Sequence, residues 1–219
     1  GAWLATGNMD STIRVWRMGD WEAPPIVLRV PEPAAMSVAF SADGLWLASG
    51  NGWWNQQGAA RIWRVGQWET EPIVLSRSNG PIISVTFSAD DKWMALGNGP
   101  TIEVWQVGKW DKAPIALHQP GYAESPVAFS ANSQWLASGG GPNLRVWRVN
   151  AWETEPVILR GMEGAVTSVA FSGDDKWLAA GSADHTVRMW RVDDWEAVPV
   201  LLLGHEDNVS SVAFSTDGQ

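Results

Sequence analysis

Three histidines and three Asp-Asp pairs are the side chains best suited to proton transfer or metal binding. His118 precedes Gln-Pro, His185 follows an aspartate, and His205 follows a glycine, with no spacing such as HExxH among them. The acidic pairs Asp90-Asp91, Asp174-Asp175 and Asp193-Asp194 recur at turn positions of a repeat. General acid–base catalysis needs two distinct carboxylates in one cleft, and repetition explains these pairs better. We therefore predict no catalytic residue, no metal site and no cofactor, and hence a protein that is not an enzyme.

Two adjacent tryptophans form the strongest candidate for a binding surface. Trp53 and Trp54 precede Asn55 and Gln56 in a loop that is four residues longer than its counterpart between Leu178 and Arg188. Neighbouring indoles beside amides on a loop suit a protein-binding hot spot or a surface that stacks on a glycan. In the alternative arrangement, one ring caps a central channel and the other packs on a neighbouring element.

The positions of the aromatic residues define a repeat of 42 to 47 residues. One phenylalanine occurs per unit, at Phe40, Phe87, Phe129, Phe171 and Phe214. Tryptophans keep the same spacing in three sets: Trp3, Trp46, Trp93, Trp135 and Trp177; Trp16, Trp63, Trp105, Trp147 and Trp190; and Trp21, Trp68, Trp110, Trp152 and Trp195. Only Trp53 and Trp54 of the 17 tryptophans lie outside these sets.

Each unit reads as four short strands. "SVAFS" alternates apolar and polar residues and is followed by a turn signal such as "ADG"; "WLASG", "IRVWRV" and "PIVL" follow. The proline before the fourth strand suits an outer edge, because proline has no N–H to donate to a sheet. Four strands in a period of this length are typical of β-propeller blades, and we predict an all-β propeller of five four-stranded antiparallel blades.

The two strand sets of tryptophans are expected to pack between blades, where each buries about 150–250 Å². The third set, which begins with Trp21, lies in the turn between the third and fourth strands. Its rings either fold back over the blade edge, which we favour, or form a partly exposed aromatic ring on one face of the disk.

With "WLAAG", "TVRMW" and a Gly-His pair in place, the chain resembles the WD-repeat β-propeller family, and its wording is similar to bacterial WD-repeat arrays. The resemblance implies a hydrogen-bonded structural tetrad, which matches His205, Thr6, Asp10 and Trp16 in this sequence. The aspartate is retained as Asp184 in one other unit and is replaced elsewhere by Gln57, Gly99 and Gly141. The dipeptide that names the family reads Trp-Arg in four units and Trp-Gln in one.

The chain starts and stops within the same turn of the repeat. It ends "SVAFSTDGQ" and begins "GAWLATG", so that Gln219 would join Trp3 in register if Gly1-Ala2 were a cloning remnant. We expect residues 1–219 to form one domain whose closing blade is shared between the two termini. A closed five-bladed monomer is preferred; a strand-exchanged oligomer, with two chains in a ten-bladed ring, is the alternative.

Composition excludes several partners. The net charge of −9 argues against nucleic acid or an anionic membrane, both of which need a basic surface. The sequence has no cysteine and no apolar run of about eighteen residues, which predicts a cytoplasmic protein without a transmembrane helix.

The sequence favours a non-catalytic scaffold for protein–protein interaction. The connections between units keep their length while their chemistry varies, as expected for a surface that recognises a protein or peptide. Besides the tryptophan loop, the candidate contact residues are Arg77, Tyr122, Glu163 and His185. The resemblance implies the sensor or scaffold portion of a larger bacterial repeat protein. The alternatives are an excised or engineered propeller with a purely structural role, and a lectin-like propeller that binds glycan through Trp53 and Trp54.

Overall fold

The computed structural model describes residues 2–53, 57–78, 80–119 and 125–215, with the side chains of Ser76 and Arg77 also left undescribed. Within these ranges the regular structure consists of nineteen strands and no helix. The strands form five antiparallel sheets in chain order, one for each sequence repeat. The predicted all-β, five-blade propeller is confirmed, whereas the single domain 1–219 stays a prediction.

Each sheet is one blade, and its strands are neighbours in the order in which the chain makes them. Blade 1 comprises β1 (Trp3–Gly7), β2 (Thr12–Arg17) and β3 (Ile26–Arg29). Blade 2 comprises β4 (Ala35–Phe40), β5 (Trp46–Asn51), β6 (Gly58–Arg64) and β7 (Ile73–Ser78). Blade 3 comprises β8 (Ser84–Phe87), β9 (Trp93–Asn98), β10 (Thr101–Gln106) and β11 (Ile115–His118). Blade 4 comprises β12 (Val127–Phe129), β13 (Trp135–Gly140), β14 (Asn143–Arg148) and β15 (Val157–Leu159). Blade 5 comprises β16 (Val166–Phe171), β17 (Trp177–Ser182), β18 (Val187–Arg191) and β19 (Val200–Leu202).

A buried serine after each phenylalanine fixes the first turn of blades 2 to 5. In blade 3, Ser88 accepts a hydrogen bond from the Trp93 N–H at 3.0 Å and donates one to Asp90 at 2.7 Å. Ser41, Ser130 and Ser172 make the same pair of contacts in the other three blades. The turn needs a left-handed residue, and Asp91 takes that place here with φ of 55°. The repeated serine and acid are therefore turn-forming residues.

Tryptophan pairs join each blade to the next. Trp46 of blade 2 packs edge-to-face on Trp110 of blade 3, with ring centroids 5.5 Å apart and planes at 84°. The same arrangement recurs in the pairs Trp3–Trp68, Trp93–Trp152 and Trp135–Trp195. The turn tryptophan of blades 2 to 5 thus folds back onto the preceding blade, while Trp21 of blade 1 is 60% exposed. Buried aliphatic residues of adjoining blades fill the space between the sheets.

The shared closing blade is not detected among the described residues. Blade 1 has three strands, and no partner strand lies on the side of β1 opposite β2 in the described part of the chain. Residues 209–215, which we name the terminal segment, lie instead against blade 5. The Val209 N–H donates to the Ser182 carbonyl and the Val212 N–H to the Ser168 hydroxyl, both at 3.1 Å. The terminal segment is therefore held by the blade that precedes it, without reaching β1.

Candidate functional site

Two kinds of connection share one face of the propeller, which we name the loop face. In an antiparallel blade, the turn between the second and third strands lies beside the connection that enters the first strand. In blade 5 a hydrogen bond of 2.8 Å from the Glu163 N–H to Asp184 joins these two connections. Of the predicted contact residues that the structure describes, Trp53, Glu163 and His185 belong to this face.

Asp184 is the most heavily hydrogen-bonded acid on the loop face. It accepts from the Thr186 N–H at 3.0 Å, the Thr186 hydroxyl at 2.5 Å and the Arg188 guanidinium at 3.0 Å. Burial raises the pKa of Asp184, but the hydrogen bonds from Thr186, Glu163 and Arg188 outweigh that effect and hold the pKa far below its ordinary value. The carboxylate is therefore ionised at any physiological pH and fixes the turn.

The third strand of four blades carries an arginine at the same position, and three of these arginines have an acidic partner. Arg14 pairs with Asp10 at 2.7 Å, and Arg188 pairs with Asp184, four residues earlier in each case. In blade 2 that acid is replaced by Gln57, and Arg61 instead makes a buried two-pronged salt bridge with Glu32. Blade 3 has no arginine here, because Glu103 takes its place.

Arg145 of blade 4 is the exception. Gly141 stands where the acid should be, and the Arg145 Nη1 atom has no hydrogen-bond partner although the residue is only 7% exposed. Burial, followed by the nearby positive charge of Arg160, lowers the pKa of Arg145. Because arginine remains a cation at neutral pH, the loop face contains a buried charge for which the described residues supply no counter-ion. Such a group is costly until an anion joins it.

Gln119 is a buried polar residue whose side chain makes hydrogen bonds with blade 4. Its amide nitrogen donates to the Ser125 hydroxyl at 2.8 Å, the Ser138 hydroxyl at 3.3 Å and the Gly139 carbonyl. Ser138 lies directly opposite Arg145 in the ladder between β13 and β14. The Gln119 amide oxygen is buried and has no donor.

The structure places three of the predicted contact residues at the exposed surface. Trp53 lies in the loop after β5, and Glu163 lies in the connection before β16. His185 is exposed in the turn before β18, with φ of 67°. Trp54, Asn55, Gln56 and Tyr122 lie outside the described residues, and of Arg77 only the backbone, in β7, is described. Whether they act together stays a prediction.

The members of the predicted tetrad lie at opposite ends of the chain. Thr6 is in β1, Asp10 is in the turn before β2, and Trp16 is in β2, while His205 is exposed after β19. Asp10 accepts from Thr12 and Arg14, and these contacts lower its pKa. Among the described residues, no hydrogen bond joins His205 to the other three. The tetrad stays a prediction, and it requires the two ends to meet.

The acidic pairs occupy structural turns. A hydrogen bond from Ser172, together with Lys176, lowers the pKa of Asp174 to about 2. Such an acid cannot hold a proton for transfer near neutral pH. In the described ranges no group of three or more histidine or acidic side chains is placed to hold a metal ion.

Arg145 was missed by the sequence analysis although a signal was present. Aligning the units shows that Gly99 and Gly141 both replace the acid, yet only blade 3 also replaces the arginine, with Glu103. Blade 2 likewise loses the acid, as Gln57, and keeps Arg61, so the sequence offers two candidates for an unpaired charge, and the structure pairs Arg61 with Glu32. Gln119 carried no comparable signal, because its neighbours are set by tertiary contacts.

A known protein family has the same kind of sequence repeat as this chain. The family model described as WD domain, G-beta repeat (WD40) matches residues 1–17, 28–64, 127–148, 154–191 and 197–219, which is more than half of the chain. The unmatched part includes blade 3, whose strands nevertheless keep the arrangement of the other blades. No curated protein matches the chain. No helix in the described part is long and apolar enough to span a bilayer. With the repeats matched over most of its length and each built as a propeller blade, the chain belongs to the WD40-repeat family.

Proposed function

We propose that this protein is a non-catalytic interaction scaffold whose loop face binds an acidic segment of a partner protein. In this proposal the Arg145 guanidinium donates hydrogen bonds to a carboxylate of the partner. WD40 repeats in propeller-like sheets suggest a protein-interaction scaffold in general. The observation that carries the specific proposal is the buried Arg145 guanidinium, whose Nη1 atom has no hydrogen-bond partner and which has no counter-ion within the described part of the chain. A cytoplasmic location and a place in a larger bacterial repeat protein stay predictions.

The chemistry of the partner follows from the charges around Arg145. Arginine presents a planar fork of donors that matches a carboxylate, and such charge-assisted bonds are the strong ones. Arg160 is exposed and adds a second positive charge near it. The protein as a whole is acidic, with a net charge of −9, so that long-range attraction does not favour an acidic partner. Affinity therefore has to come from local contacts.

Binding would be measured by isothermal titration with acidic peptides and with the same peptides in which each Asp or Glu is replaced by Asn or Gln. We expect binding of the acidic set only. Arg145→Met should weaken it at least about tenfold, since a fully desolvated charged contact is typical of a hot spot. The matched control is Arg14→Met, which removes an equivalent arginine that already has Asp10 as its partner. Equal binding of both peptide sets, or equal loss in both variants, contradicts the proposal.

Stability separates a binding arginine from a structural one. Arg145→Met should leave the melting temperature unchanged or raise it, because the variant removes an uncompensated buried charge. Arg61→Met should cost about 3 kcal/mol or more, since it leaves Glu32 buried without its partner. If Arg145→Met costs as much as Arg61→Met, the guanidinium is paired within the chain. In that case the proposal falls.

A further inference from the structure

The two ends of the propeller present opposite halves of one interface. Leu4 in β1 is 45% exposed, whereas its equivalents Leu47, Met94, Leu136 and Leu178 are fully buried. In β19 at the other end, Leu202 is 46% exposed, whereas its equivalent Leu159 in β15 is 3% exposed. At the internal joints the neighbouring blade covers the equivalent residues. Leu4 and Leu202 have no such neighbouring blade at the two ends of the described chain.

The internal joints show what the missing cover consists of. Between blades 1 and 2, the cluster combines Leu28 of blade 1 with Leu47, Trp63 and Trp68 of blade 2. The counterparts of those three blade 2 residues in blade 1 are Leu4, Trp16 and Trp21. Blade 5 has only part of such a cluster, in which the terminal segment supplies Val209, Val212 and Phe214. The remainder of a fifth joint is thus present on blade 1.

The terminal segment already occupies the place of a first strand. The Val212 N–H donates to Ser168, as the Val85 N–H donates to Ser37 and the Val127 N–H to Ser84 at the internal joints. All three distances are 3.1 Å. Among the described residues, no second strand pairs with the outer side of the terminal segment, and no first strand pairs with β1 on the side opposite β2. The two free edges complement each other, and free edges favour pairing.

We propose that blade 1 of one copy of this chain docks on blade 5 of a second copy, with β1 pairing to the terminal segment and completing a four-stranded blade between chains. A second copy is the partner because the four internal joints are alike and the described chain, built with them, leaves both of its end faces exposed. If the rotation between blades closes with two copies, both seams are satisfied in one ring with twofold symmetry and no free edge remains.

The seam would also give the blade 1 turn the partners that the blade 5 turn has. Asp184 accepts the Glu163 N–H, and its side chain is 9% exposed. Asp10 has equivalent bonds to threonine and arginine, yet its side chain is 52% exposed. The counterpart of Glu163 is Glu206, in the connection that leads into the terminal segment. Docking would therefore bring Glu206 and His205 of one copy to Asp10 of the other.

A disulfide placed across the seam tests this proposal, because the chain contains no cysteine. The ladder between β4 and β5 pairs Ala39 with Ala48, and the equivalent pair at the seam is Ala213 with Ala5. Directly opposed residues in an antiparallel ladder are about 4.5–5.5 Å apart, within the range that a disulfide spans. The variant Ala5→Cys/Ala213→Cys would be oxidised and run on a non-reducing gel beside light-scattering measurement of its mass.

We expect a cross-linked species of at least twice the chain mass that reverts to the single chain on reduction. An equimolar mixture of refolded Ala5→Cys and Ala213→Cys single variants should give a singly linked dimer, which only contact between copies can produce. A compact, cross-linked monomer, or no cross-link in either sample, overturns the proposal. Neither result depends on Arg145 or on a peptide ligand.

A second measurement identifies the docking face. Trp21→Ala should weaken the association at least about tenfold, as a buried aromatic anchor would. Ile158→Thr is the matched control, because Ile158 is an exposed apolar residue on the outer strand of blade 4, away from both ends. If the two variants associate equally well, blade 1 is not the contact surface, and the proposal is wrong.

Discussion

Asp184→Asn should destabilise the protein through one buried turn, and the size of the loss follows from its contacts. The carboxylate accepts four hydrogen bonds, from Thr186 twice, Glu163 and Arg188, at 2.5 to 3.0 Å. Asparagine keeps one acceptor oxygen but loses the charge that balances the largely buried Arg188. Breaking one member of a buried pair costs about 3–5 kcal/mol. With part of the network retained, we expect a loss near the lower end, about 3 kcal/mol.

Asp10→Asn, measured in the dissociated chain, is the control for Asp184→Asn. Asp10 has the same threonine and arginine partners as Asp184, but its side chain is half exposed and no backbone N–H from a neighbouring connection reaches it. Water can replace the lost contacts there, so the expected loss is far smaller. If copies associate through their end faces, the loss caused by Asp10→Asn should grow with protein concentration.

The effect of Asp184 should also depend on pH. Its folded pKa lies far below the ordinary value of 3.8, so its contribution to stability is complete above about pH 4 and declines as the pH falls below that value. Asparagine does not titrate, and the gap between the two proteins should therefore narrow by about 1 kcal/mol between pH 7 and pH 3. The assay is denaturant unfolding followed by tryptophan fluorescence. Equal losses in the two variants, or a loss at position 184 that is independent of pH, would refute the reasoning.

Two further predictions concern the joints between blades. Trp110→Ala should lower the free energy of unfolding, measured with denaturant, by about 3–5 kcal/mol, because the ring packs on the preceding blade. Trp21→Ala should change the stability of the dilute chain by less than about 1 kcal/mol, because Trp21 is exposed. Similar losses in the two variants would show that the joints do not depend on these tryptophan pairs. Gly97→Ala should lower stability by about 3 kcal/mol, because the added Cβ would lie 1.9 Å from the Ser125 carbonyl oxygen of the next blade. Gly99→Ala, at a position with open space but a left-handed φ of 57°, is its control, and a smaller loss at Gly97 than at Gly99 would contradict the close approach.

Much of the architecture could be predicted because the same pattern of residues occurs in each of the five units. Strand order, turn positions and the number of blades follow from aromatic residues that keep one spacing over five units, and the structure confirms all three. Local contacts could be predicted in the same way: in blades 2 to 5 the serine after the phenylalanine and the aspartate or asparagine two residues later form the same turn. The candidate site was less predictable, since Arg145 matters through the absence of a partner, which only a comparison between units reveals.

The sequence by itself determined that this is an all-β protein of five similar blades, because short-range alternation and turn signals act within each unit. Only the tertiary structure decided how the units meet. It placed four turn tryptophans on the preceding blade and left Trp21 exposed. It also buried Arg145 with no counter-ion from the described residues, and held the terminal segment against blade 5 instead of β1. The physical reason is that repeated residues with identical local surroundings differ only in their long-range neighbours. Burial and charge pairing depend on those neighbours, and the spacing of residues along the chain does not contain them.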